Sequence, residues 1–165
     1  MGVNKHKPHL VVFMEDNPYR DIVNGMKKLI NVDDTNIDSK NPCGGWSKVF
    51  SKLDENLALI NSNENMHILL LIDFDNKFEE RYEKFEEMLK GQSCKSRVFM
   101  FGIDKKESED LKATLKYKNY EEISKCLLEN CPNEVSQEWN NKHLKCNIDM
   151  IEKMKKVGVF DWLFK

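Results

Sequence analysis

The stretch His67-Ile68-Leu69-Leu70-Leu71-Ile72-Asp73-Phe74-Asp75-Asn76 decides the fold. From Ile68 to Ile72 it is aliphatic without polar alternation, the pattern of a strand covered on both faces, as strands of parallel sheets are. It then stops abruptly on Asp73 and Asp75. Upstream, His9 to Met14 repeats the design in a shorter form and ends on Glu15-Asp16-Asn17-Pro18. There Asp16 or Asn17 suits a helix N-cap and Pro18 a first helical turn.

Working outward, Ile22, Val23, Met26, Leu29 and Ile30 recur at three- and four-residue spacing and predict a helix running to about Ile30. Weak alternation through Val32 and Ile37 predicts a short second strand within Asn31 to Asp38. Gly44-Gly45 is a hinge into a second helix, whose apolar face carries Trp46, Val49, Phe50, Leu53, Leu57 and Ile60. Beyond the deciding strand, Lys77 to Lys90 predicts a third helix with Phe78, Tyr82, Phe85 and Leu89 on one stripe, and Arg97 to Phe101 a fourth strand. Helices follow over Glu107 to Leu115, Tyr120 to Asn130 and about Val135 to Met154, before the aromatic tail Val159 to Phe164.

Alternating strands and helices imply parallel strands joined by right-handed crossovers. The expected fold class is therefore α/β: an open parallel sheet of about four strands flanked by helices, with a helical C-terminal third. The expected organisation is a single domain over 1–165, an α/β core over 1–115 with a helical extension over 116–165 packed on it. Ligands of such sheets bind beyond the carboxyl ends of the strands. Glu15, Asp73, Asp75 and the loop after Phe101 are expected to converge there.

Composition narrows the function classes. With 26 basic and 28 acidic residues and a net charge of -2, no global positive field draws the chain onto nucleic acid or an anionic membrane, so contact with nucleic acid needs a local basic patch or a bound cation. No apolar run approaches the roughly twenty residues that span a bilayer, and the start lacks a signal-peptide pattern. Five cysteines at irregular spacing, without a C-x-x-C pair, read as reduced thiols. A cytoplasmic location is expected.

Two carboxylates at i and i+2 past one strand, with a third past its neighbour, suit a hard divalent cation that keeps several waters: Mg2+, or Mn2+ in its place. Crowded and half-buried, such acids repel one another, so a bound ion or a positive neighbour is implied. Taken singly, each acid also suits a helix start through local hydrogen bonds and the helix dipole, a role that needs no metal. That reading does not explain why both strong strands end in acid.

A strand ending VVFME at Glu15, glycines at Gly44-Gly45 opening the second helix, and LLLIDFD ending at Asp75 together resemble the Toprim domain of topoisomerases, primases and OLD-type nucleases, over roughly the first two thirds of the chain. The resemblance implies a Rossmann-related sheet. It also implies Glu15 as general acid or base in phosphoryl transfer and the DxD pair Asp73 and Asp75 as magnesium ligands. Nuclease members carry a further acid after the fourth strand, a place for Glu107 or Glu109, with Lys105 or Lys106 facing a phosphate. The chain departs from the usual motif, in which Gly and a basic residue follow the glutamate; here Asp16 and Asn17 do. No nucleophilic tyrosine is assigned, so the implied activity is phosphodiester hydrolysis by water, on DNA or RNA.

The order ED, GGW, DFD and RVF, followed by a Trp and a His, is also similar to a family of short standalone bacterial proteins. That likeness marks Arg20, Trp46, Arg81, Trp139 and His143 as candidates for the same site; Asp16, next to Glu15, is a further candidate. Standalone Toprim-like proteins of this size resemble the nuclease halves of defence systems that work with an ATPase, which implies a partner protein of that kind. The alternative is a non-catalytic regulatory module, a degenerate Toprim or a receiver-like domain phosphorylated at Asp73 with Glu15 and Asp16 as metal partners.

Overall fold

The computed structural model describes residues 2–104, 108–116 and 119–165. Its elements are β1 (His9–Met14), α1 (Asn17–Lys27), β2 (Ile37–Ser39), α2 (Trp46–Ser62), β3 (Met66–Asp73), α3 (Phe78–Leu89), β4 (Val98–Ile103), α4 (Ser108–Leu115), α5 (Tyr120–Leu128), α6 (Ile148–Lys156) and α7 (Val159–Leu163). The protein is α/β. Its four-stranded sheet has the order β2-β1-β3-β4, and every pairing is parallel.

β3 is buried along its whole length, as its unbroken aliphatic run requires. Register sets the acidic edge: Met14 pairs with Leu71, so β1 gives way to Glu15 while β3 continues to Asp73, which pairs with Ile103 of β4. Side chains alternate between faces. Asp73 therefore shares a face with Leu69 and Leu71, the face covered by α1, α5 and the C-terminal third. Phe74 leaves toward the other face, where its ring meets Phe78 of α3 edge-on at 5.0 Å.

α1 ends at Lys27, earlier than the expected Ile30, because the chain must turn to bury Val32 in an antiparallel bridge with Phe164; Ile30 is left 93% exposed. The second strand is only Ile37–Ser39, because Asp33 accepts hydrogen bonds from the Thr35 backbone and hydroxyl and winds residues 34–36 into a tight turn.

The helix expected over Val135 to Met154 is corrected. Two 3-10 turns, Gln137–Asn140 and Lys145–Asn147, precede α6. Ser136 accepts from Glu138 N–H, and Asn141 Oδ1 accepts from the N–H groups of His143 and Leu144, so polar side chains satisfy backbone donors that a helix would use.

The last third is stitched to the core. Ser124 of α5 donates its hydroxyl proton to the Ile22 carbonyl of α1. Asn147 accepts from Gly102 N–H of β4 at 2.9 Å and donates to its carbonyl at 2.8 Å. The chain end bonds back to Asn31 and Asp33.

Candidate functional site

Glu15 sits at the exit of β1, held at both ends. Its N–H donates to the Leu71 carbonyl at 2.9 Å, and its carbonyl accepts from Gly44 N–H at 2.8 Å, which fixes the glycine hinge beside it. Gly44 and Gly45 adopt φ of 86° and 158°, a path open to glycine that swings α2 back over the sheet. α2 has no side-chain N-cap of its own. Glu15 Oε2 accepts from Asp73 N–H at 2.8 Å, and the Trp46 N–H at the first turn of α2 lies near enough to the carboxylate to lower its pKa. Burial nevertheless raises the Glu15 proton affinity, opposed by the Asp73 N–H and reinforced by the charges of Asp16 and Asp75.

Asp73 leans the other way. Only 7% exposed, it places Oδ1 2.6 Å from the Tyr19 hydroxyl, which also lies 2.9 Å from the Ile72 carbonyl. A phenol has one proton for these two acceptors. When Asp73 is protonated, its own O–H donates to Tyr19 and the phenol serves Ile72, so all groups are satisfied. Accordingly Asp73 is pushed up to about 7, first by burial and then by the charges of Glu15, Asp16 and Asp75, against the opposing hydrogen bond from Tyr19. Asp16 caps α1 by accepting from Tyr19 N–H, and burial raises its pKa as well.

Asp75 and Asn76 turn the chain with φ of 51° and 61°, leaving Asp75 exposed at the mouth of the edge. Asn76 N–H donates to the Asp104 carbonyl at 2.8 Å, and Asp104 N–H donates to the His143 carbonyl at 2.9 Å. The exits of β3 and β4 and the buried His143 are thus joined at one edge.

Glu15, Asp16, Asp73 and Asp75 therefore share the edge, closely enough that the charges of Asp16 and Asp75 raise the proton affinity of Glu15 and those of Glu15, Asp16 and Asp75 raise that of Asp73. Among the described residues, no three His, Cys, Asp or Glu side chains form a ready cage for an ion. The reason is visible in the strand alternation: Glu15 turns toward α2 and Asp73 toward α1. Magnesium seldom uses an all-protein cage; it takes one or two carboxylates, waters and substrate oxygens. The donor set here is a group of neighbouring carboxylates, the kind of oxygen ligand such an ion takes.

The other expected residues fall in three groups. Trp46 and Arg81 meet where α2 and α3 begin, the guanidinium 3.7 Å from the indole centroid. Arg81 is 5% exposed; one nitrogen meets Glu80 at 2.8 Å, while Nε is buried without a hydrogen bond. Arg20 is exposed on α1 beside Asp21, and Trp139 is a core residue that donates to the Leu127 carbonyl and meets Phe101 edge-on. Lys105, Lys106 and Glu107 lie outside the described residues, as does the side chain of Glu109.

Sequence reasoning missed Tyr19, whose hydroxyl bonds Asp73. Tyr19 was readable: it precedes Ile22, Val23 and Met26 on the sheet-facing stripe of α1, one turn from the acids. No family model, curated protein or solved structure matches this chain.

Proposed function

We propose that this chain is a magnesium-dependent, Toprim-like nuclease or closely related phosphotransfer enzyme that cuts phosphodiesters in nucleic acid. The observation that carries the reading is the crowding of Glu15, Asp16, Asp73 and Asp75 at the carboxyl edge of the two central strands, which leaves Asp73 holding a proton up to about pH 7. Such an edge favours a divalent cation, and Asp73 with Asp75 would hold it. When bound, the ion supplies charge stabilisation to a phosphate under attack.

Glu15 has the features of a general acid or base. The Asp73 N–H holds its carboxylate at 2.8 Å, and burial raises its pKa above the ordinary carboxylate value. Tyr19 orients Asp73 and prevents its free rotation. Arg81, stacked on Trp46 at the start of α2 and α3 and only 5% exposed, adds positive charge at the carboxyl end of the sheet rather than an open surface for a base. With a net charge of -2 the protein depends on such local positive groups, on its bound ion, or on a partner such as an ATPase to gather substrate.

The receiver-like alternative has less support. Its phosphoacceptor would be Asp73, and among the described residues the sheet has four strands where that fold needs a fifth.

The test is cleavage of plasmid, single-stranded DNA and RNA with Mg2+ or Mn2+. Metal-dependent cutting is expected, reduced on the order of a hundredfold or more in Glu15→Gln and Asp73→Asn. Absence of cutting, together with unaltered metal binding in both variants, rejects the reading. A phosphoryl adduct on Asp73 after incubation with acetyl phosphate favours the receiver instead.

A further inference from the structure

The two faces of β3 differ in how tightly they are covered. On the face toward α2 and α3, Ile68, Leu70 and Ile72 are each 0% exposed. On the other, Leu69 and Leu71 keep 6% and 8%, although they lie on an interior strand beneath α1 and α5. The difference comes from a cavity of about 120 Å³ between the sheet, α1, α5 and the C-terminal third. Protein interiors have few voids larger than a water molecule, and an empty one costs stability.

The polar groups of its wall are already satisfied within the protein. The Tyr19 hydroxyl bonds Ile72 and Asp73, that of Ser124 bonds Ile22, Trp139 Nε1 bonds Leu127, and the Asn147 side chain bonds Gly102. A buried water needs two to four polar partners, and none of these groups needs one. The remaining lining is aliphatic and aromatic, so the space is dry and its occupant must be apolar.

We propose that this cavity is a binding site for one small apolar molecule, an aromatic ring or short alkyl chain about the size of benzene. A dry apolar cavity of roughly 150 Å³ accepts benzene or xenon, which sets the scale. The site is separate from the acidic edge, touching it only through Tyr19, and stands whether or not the protein is a nuclease. Every element around it contributes: Leu69 and Leu71 from the sheet, Val23 from α1, Ile123 from α5, Ile151 from α6 and Leu163 from α7. The C-terminal third is thus one wall of a ligand site.

The experiment uses the full chain with labelled methyl groups, titrated with benzene and separately pressurised with xenon. Shifts are expected at Val23, Leu69, Leu71, Ile123 and Ile151 with little change at Ile68, Leu70 and Ile72. Saturating benzene should raise the thermal midpoint by about 2–4 °C, and phenol, whose hydroxyl finds no partner, should bind at least about tenfold more weakly. Leu127→Phe, which fills the space, should abolish the benzene shifts. Unchanged methyl signals in wild type under both probes, or equal shifts on both faces of β3, would overturn the proposal without recourse to any variant.

Discussion

Among single residues, Asp73 carries the most unusual chemistry. Its proton is held up to about pH 7 in the folded chain, against an ordinary value of 3.8. Between those values the native state binds the extra proton, so this group's contribution to stability is greatest below about pH 4 and is lost as pH rises through 7. The span of about three units is on the order of 4 kcal/mol before relaxation of the site. Asp73→Asn keeps the shape and an acceptor for Tyr19 but removes the buried charge. It should stabilise the metal-free protein at pH 8 by on the order of 2 kcal/mol and match wild type at pH 4, as urea denaturation at both pH values would show. A variant less stable than wild type at pH 8 would mean that the ionised carboxylate is well accommodated. Stability gained by removing a group at a site is what functional strain predicts.

Among the elements, α1 links the acidic edge to the last third. Asp16 caps it, Tyr19 reaches Asp73, and Gly25 lets α5 approach so closely that a Cβ there would strike the Glu121 backbone. Gly25→Ala gains about 1 kcal/mol in helix propensity but must push α5 away, and overpacking of this kind costs about 1–3 kcal/mol. A net loss of stability is expected in thermal unfolding. Lys28→Ala, which removes an exposed ion pair with Glu121, should change it by less than about 1 kcal/mol. The α/β class, the four strands and the position of Glu15, Asp73 and Asp75 were legible in the sequence because aliphatic runs and their acidic exits are local signals. The turns over 135–147 were not, because they depend on Asn141 and Asn147 finding backbone partners, in the latter case on a distant strand. Nor was the opposed tilt of Glu15 and Asp73, which follows from the pairing register of β1 with β3.

At the scale of the whole molecule, one hydrophobic core runs from β1 to Phe164, and the segment beyond residue 115 covers one face of the sheet. Removing 116–165 would expose Leu69, Leu71 and Phe101 together, so the truncated chain should be insoluble or lack cooperative unfolding, whereas an independently folded extension would leave a cooperative core. No helix of the described residues is long and apolar enough to cross a membrane. The molecule thus presents its acidic edge on a scaffold that both ends of the chain help to hold. The most direct test of that edge is calorimetric titration of the full-length protein with Mg2+ or Mn2+ at pH 8. The account predicts about one ion per chain, lost in Asp73→Asn and weakened in Asp75→Asn; no binding, or equal binding in both variants, would contradict it.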